Sequence, residues 1–103
     1  MPSFEICTTK YEEDIKLIQV AMTKMEAICN IASGFKFGEP TSRFGWTFLQ
    51  IYLDQELCMG IEDKFSDMIK KCKGHKPDEK FTNFLSQYFE SRDCNVKVKM
   101  VND

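Results

Sequence analysis

The sequence predicts an α+β domain, a four-stranded sheet with helices on one face in the order β-α-β-β-α-α-β. Three observations predict it. Segments at both ends alternate polar and apolar residues with the period of a half-buried strand. Two longer segments repeat their apolar residues every three or four positions, the period of an amphipathic helix. Between them lies an aromatic run, residues 43–53, whose strand reading supplies the partners that the terminal strands need, because an isolated pair of strands is marginal in water. At 103 residues, 43% hydrophobic and 29% charged, the chain is read as a single globular domain over residues 1–103, without repeat, linker or low-complexity segment.

The elements follow in order. Residues Ser3 to Thr8 place Phe4 and Ile6 on one face and Ser3, Glu5 and Cys7 on the other. The first helix carries Tyr11, Ile15, Ile18, Met22, Met25, Cys29 and Ala32 on its apolar stripe. Thr9 and Glu12 form a capping box, Glu12, Glu13 and Asp14 suit the positive end of the dipole, and Gly34 follows as a C-cap. Phe35-Lys36-Phe37 then reads as a strand, Gly38-Glu39-Pro40-Thr41-Ser42 as a turn, and residues 43–53 as a long aromatic strand. A second reading stands beside this one. Trp46, Leu49, Leu53, Leu57 and Ile61 also form a helical stripe continuing into Phe65, Met68 and Cys72, which makes a mostly helical bundle with two short terminal strands.

From Asp54 both readings are helical, through Leu57, Ile61, Phe65, Met68, Ile69 and Cys72, with Gly60 as the expected break. A last helix starts near Pro77, with Asp78 and Glu79 in its first turn, and buries Phe81, Phe84, Leu85, Tyr88 and Phe89. Val96, Val98 and Met100 alternate with Lys97 and Lys99 in a closing strand whose outward lysines suit an edge or a solvated face.

A formal charge of −2 argues against a general nucleic-acid binder, since that affinity is dominated by Lys and Arg neutralising phosphates. No nucleic-acid partner is expected. No apolar run reaches the ~18 to 20 residues of a membrane span, and the N-terminus lacks the basic and apolar regions of a secretory signal. No membrane partner is expected either. The five cysteines, Cys7, Cys29, Cys58, Cys72 and Cys94, are odd in number and contain no CxxC pair, so a complete disulfide framework within one chain is impossible. This points to a reducing compartment, cytoplasm or nucleus. The alternative is a processed, secreted, disulfide-containing effector with two bridges and a spare thiol. No GxGxxG or P-loop is present, so no cofactor is expected.

Candidate sites are few. Lys70, Lys71, Lys73, His75 and Lys76 surround a glycine turn and could trap an anion, although cations at a helix C-terminus also complement the macrodipole. Cys72 and His75 resemble half a zinc site but lack a second close pair, so no metal is expected. The aromatics are the one excess: nine Phe, three Tyr and one Trp. If residues 43–53 are a strand, Phe44, Trp46, Phe48 and Tyr52 share one face while Leu49, Ile51 and Leu53 share the other. Helices cover one face only. The expected function is therefore a non-enzymatic protein-interaction module, a homodimer or adaptor subunit, with Trp46, Phe44 and Phe48 anchoring the contact.

An enzymatic alternative rests on the N-terminus. The opening Met1-Pro2-Ser3-Phe4-Glu5-Ile6-Cys7-Thr8-Thr9 resembles the tautomerase superfamily, including its macrophage migration inhibitory factor branch, and Phe37-Gly38 before a strand is similar to a segment of that branch. The resemblance implies a trimer of β-α-β units and, once Met1 is removed, Pro2 as the general base. Lys24 stands in for the family's lysine if the first helix ends near it, whereas the apolar stripe continues to Ala32. Residues Asp54 to Lys76 exceed that family's pattern.

Overall fold

A computed structural model describes residues 3–101. The chain runs β1 (Ser3–Thr8), α1 (Tyr11–Cys29), β2 (Phe35–Phe37), β3 (Thr41–Arg43), β4 (Trp46–Leu53), α2 (Gln55–Lys64), α3 (Ser66–Lys71), α4 (Pro77–Glu90) and β5 (Lys97–Val101). The α+β class holds, with about 49% helix and 25% strand. Among the described residues, however, the sheet has five strands rather than four and the helices number four rather than three, because a short strand precedes β4 in its hairpin and the helical stretch after Asp54 divides in two. The bundle reading of residues 43–53 does not hold, because these residues pair on both sides as β4 and the hairpin leading into it.

The sheet order is β2-β4-β1-β5, with β3 pairing β4 beyond β2, and every pairing is antiparallel. Two strand-helix-strand units are interleaved here: β1-α1-β2 leaves room for β4, and β4 with its following helices leaves room for β1. This is the split β-α-β arrangement. It puts β1 and β4 at the centre, where alternation decides which side chains are buried. Phe4 and Ile6 of β1 and Leu49, Ile51 and Leu53 of β4 are buried. Most of these join Ile18, Met22 and Met25 of α1, Leu57 and Ile61 of α2, and Phe81, Phe84, Leu85 and Phe89 of α4 in one core. Phe35 and Phe37 pack on the same core, their rings edge to face at 5.5 Å.

Several boundaries differ from the sequence expectation. The Thr9 and Glu12 capping box does not form; α1 begins after Lys10 without a side-chain cap. The tie is made one residue earlier, because Thr8 points inward at the end of β1. Its hydroxyl donates to the buried carboxylate of Asp14 and accepts the Lys10 N–H at 2.9 Å. The helix ends at Cys29, short of Ala32, because Asn30 turns left-handed at φ 57 and the Asn30 and Ile31 N–H groups close on Ala27 and Glu26. Gly34 is thus no C-cap; its N–H donates to the Glu26 carboxylate at 2.6 Å.

The aromatic hairpin turns at Phe44-Gly45, not at residues 38–42. Arg43 pairs with Trp46, and the two residues between them have φ values of 53° and 79°, the signature of a type I′ turn. Residues 38–40 form a bulge instead. Pairing steps from Phe37 opposite Ile51 to Thr41 opposite Phe48, so three residues span the place of two. The Gly38 N–H still reaches the Gln50 carbonyl at 2.8 Å.

The helical stretch after Asp54 breaks at Phe65, not at Gly60. Gly60 lies inside α2 where the helix crosses α1 so closely that a Cβ there would stand 3.0 Å from Cys29 Cβ. At the actual break, the Phe65 ring packs 5.1 Å from Phe84 and 6.3 Å from Tyr88. The change of axis leaves Met68, expected on the core stripe, 57% exposed. α4 follows its pattern, starting at Pro77 and burying Phe81, Phe84, Leu85, Tyr88 and Phe89.

Candidate binding face

Helices pack against one side of the sheet, and the opposite parity of each strand builds a second, open face. Register places its side chains in rows across the strands, successive rows standing about 7 Å apart. The first row runs Lys36, Tyr52, Ser3, Val101. Gln50, Glu5 and Lys99 make the second, and Thr41, Phe48, Cys7 and Lys97 the third. Arg43 and Trp46 close the face at the hairpin end. Trp46, Phe48 and Tyr52 lie outside the core cluster.

Each of these rings is accompanied by a cation from another strand. Lys36 Nζ lies 5.9 Å from the Tyr52 ring centre, the Arg43 guanidinium 5.3 Å from Phe48, and Lys97 Nζ 5.5 Å from Trp46. The second row is polar: the Tyr52 hydroxyl donates to the Gln50 side chain, and Glu5 and Glu39 help line a depression of about 270 Å³ beside Arg43 and Phe48. The adjoining Cys7 thiol is pushed above its ordinary value, by burial first and by Glu5 second.

The expected face is thus formed by Trp46, Phe48 and Tyr52, with one correction. Phe44 does not share their strand; it occupies the turn and is 99% exposed. A bulky residue at positive φ is a backbone outlier, and here it carries an aromatic ring into solvent at the hairpin tip. Lys36 and Arg43 were missed, and Lys97 and Lys99 were read only as outward lysines of the closing strand. They come from β2, β3 and β5, and only the register gathers them.

The other candidates fall elsewhere. Lys70 and Lys71 end α3, and Lys73, His75 and Lys76 occupy the loop before α4. There the His75 N–H donates to the Glu79 carboxylate at 2.8 Å, and that bond first, with a second from Lys76, holds the Glu79 carboxyl below its usual range. A carboxylate of the chain itself thus closes on the backbone of this loop. Cys72 Sγ donates to the Met68 carbonyl at 3.2 Å, and among the described residues no group of three or more His, Cys, Asp or Glu could hold a metal ion. Lys24 is exposed in the middle of α1, which continues past it to Cys29. Pro2 lies outside the described residues.

All five cysteines are free thiols. Burial pushes Cys58 and Cys94 up to about 12, the reverse of what an activated nucleophile needs. Among the described residues no helix is long and apolar enough to cross a membrane. Comparison with protein-family models, curated proteins and solved structures finds no match to this chain.

Proposed function

We propose that the chain is a non-catalytic binding module that works through the open face of its sheet and the tip of the β3–β4 hairpin. The observation that carries the reading is the placement of three aromatic rings, Trp46, Phe48 and Tyr52, on the one sheet face that the helices leave uncovered. Aromatic side chains are the usual energetic anchors of recognition surfaces. Phe44 supports the same reading. Its ring packs on nothing and its backbone is strained, a combination that the fold does not require and a ligand contact explains.

Photo-crosslinking in cells tests this. A benzophenone side chain placed at position 44 or 46 should give discrete adducts, and one placed at Lys16, exposed on α1, should not. Indistinguishable adduct patterns from the two surfaces overturn the reading. Digesting the adducts with nuclease or protease reports the class of the bound partner.

A further inference from the structure

We propose that the open face binds single-stranded RNA, its rings stacking on bases and its cations meeting phosphates; this rests on the binding-module reading above. The composition of the face decides between classes of partner. Three lysines and an arginine, Lys36, Arg43, Lys97 and Lys99, surround the aromatics, and among the described residues the one aliphatic side chain is Val101 at the edge. The centre of a protein interface is depleted in lysine and rich in apolar area beyond aromatics. Aromatic platforms interleaved with cations are what an unpaired nucleic-acid strand requires.

The geometry repeats this couple three times. Tyr52 with Lys36, Phe48 with Arg43 and Trp46 with Lys97 each place a cation 5.3–5.9 Å from a ring centre. A stacked base takes the cation's place over the ring, and the displaced cation meets the phosphate attached to that base. The exchange is favourable because a base–aromatic stack is stronger than an exposed cation–π contact. Glu5 and Glu39 line the depression beside Phe48, and the polar row of Gln50, Glu5 and Lys99 lies between Phe48 and Tyr52, where a strand stacked on both rings crosses it. There Glu5 and Gln50 present an acceptor and an amide to a ribose 2′-hydroxyl, the group that separates RNA from DNA.

Other occupants fit less well. A second copy docked through this face would bring four more cations into the same interface, a like-charge excess that disfavours docking. An extended peptide adding a strand meets outward lysines on β5 at one edge, and a bulge containing Pro40 at the other. The net charge of −2 averages this cationic face with the acidic starts of the helices, where Glu12, Glu13, Asp14, Asp78 and Glu79 lie.

Trp46 is the sole tryptophan, so its fluorescence reports occupancy directly. The full chain should show saturable quenching with oligo(U), weaker quenching with oligo(dT), and little with an RNA duplex. The logarithm of affinity should fall against that of salt with a slope of roughly −3, as expected for four cations on a single strand. Phe48→Ala should weaken binding about tenfold. Lys36→Gln with Lys97→Gln, which removes no packed ring, should flatten the salt slope.

No quenching by any oligonucleotide overturns the proposal. So does equal binding of oligo(dT) or of the duplex, or a Phe48→Ala variant that binds like the parent. Binding of an oligo-glutamate peptide as tight as oligo(U) overturns RNA as the ligand while leaving the binding-module reading intact. Loss of the position-44 and position-46 adducts overturns both.

Discussion

Replacing Phe44 by Asn should make the protein more stable. Phe44 holds the first central position of a two-residue turn at φ 53°. Left-handed backbone crowds a Cβ against the following carbonyl and costs roughly 1–2 kcal/mol, a strain that Asn and Gly tolerate best. The ring returns nothing in packing, since it is 99% exposed. Phe44→Asn therefore relieves strain without deleting a contact, and the expected gain is about 1 kcal/mol, or about 4–8 °C in Tm for a domain of this size. Thermal unfolding followed by circular dichroism reads the shift, and urea unfolding gives the same quantity independently.

Gly45→Ala is the counter-test. At φ 79°, with nothing within 4 Å of the added Cβ, it should lose about 1 kcal/mol through backbone strain alone. If Phe44→Asn lowers Tm, or leaves it unchanged while Gly45→Ala lowers it, the ring packs on the body of the protein and the exposed tip is refuted.

The two faces of β4 should respond differently: Ile51→Ala should cost about 2–5 kcal/mol in urea unfolding, whereas Phe48→Ala, three residues away on the open face, should cost less than half as much. Equal losses would make the open face part of the core. Thr8→Val removes the donor to a buried carboxylate and should cost about 1–3 kcal/mol at neutral pH, a loss that an unchanged urea midpoint would rule out. The thiols set an alkaline limit. Burial raises Cys58 and Cys94 from 9.0 to about 12, so above pH 9 the unfolded chain gives up protons that the folded chain keeps. Their contribution is complete below pH 9 and is lost as pH rises towards 12, with a slope of up to about 1.4 kcal/mol per pH unit for each thiol. Cys58→Ala with Cys94→Ala should flatten that fall in a urea series from pH 8 to 11; an unchanged slope would assign it to other groups.

Elements whose burial follows from their own period were legible in the sequence. β1 and α4 each bury the stripe that their spacing marks, α1 buries the middle of its stripe at Ile18, Met22 and Met25, and alternation along residues 46–53 separates Trp46, Phe48 and Tyr52 from Leu49, Ile51 and Leu53 without reference to the rest of the chain. Features decided by contacts between distant residues were not legible. Phe44-Gly45 lacks the Asn-Gly or Asp-Gly signal of a tight hairpin, while Gly38 and Pro40 carry turn chemistry that the fold spends on a bulge. Gly60 marked a break by helix propensity, yet its missing side chain serves the close crossing with α1. The break moved to Phe65, whose ring has Phe84 and Tyr88 to meet. Alternation marked Lys97 and Lys99 as outward, but the gathering of Lys97 with Lys36 and Arg43 had no local signature, because the three become neighbours only through register.

The bulge at residues 38–40 changes the parity of its strand. Before it, the odd-numbered Phe35 and Phe37 point towards the helices and Lys36 points away; after it, Thr41 and Arg43 point away. Two cations separated by an odd number of positions thus arrive on the same side of the sheet, which an unbroken strand could not arrange. The sidedness of the cationic surface is therefore encoded in loop length rather than in residue identity. Removing Gly38 or Pro40 would turn Arg43 inward without altering a single charged side chain, whereas removing both would preserve the side it faces. Insertions and deletions in this short segment act as a switch on the chemistry of the face, alternating with each residue gained or lost.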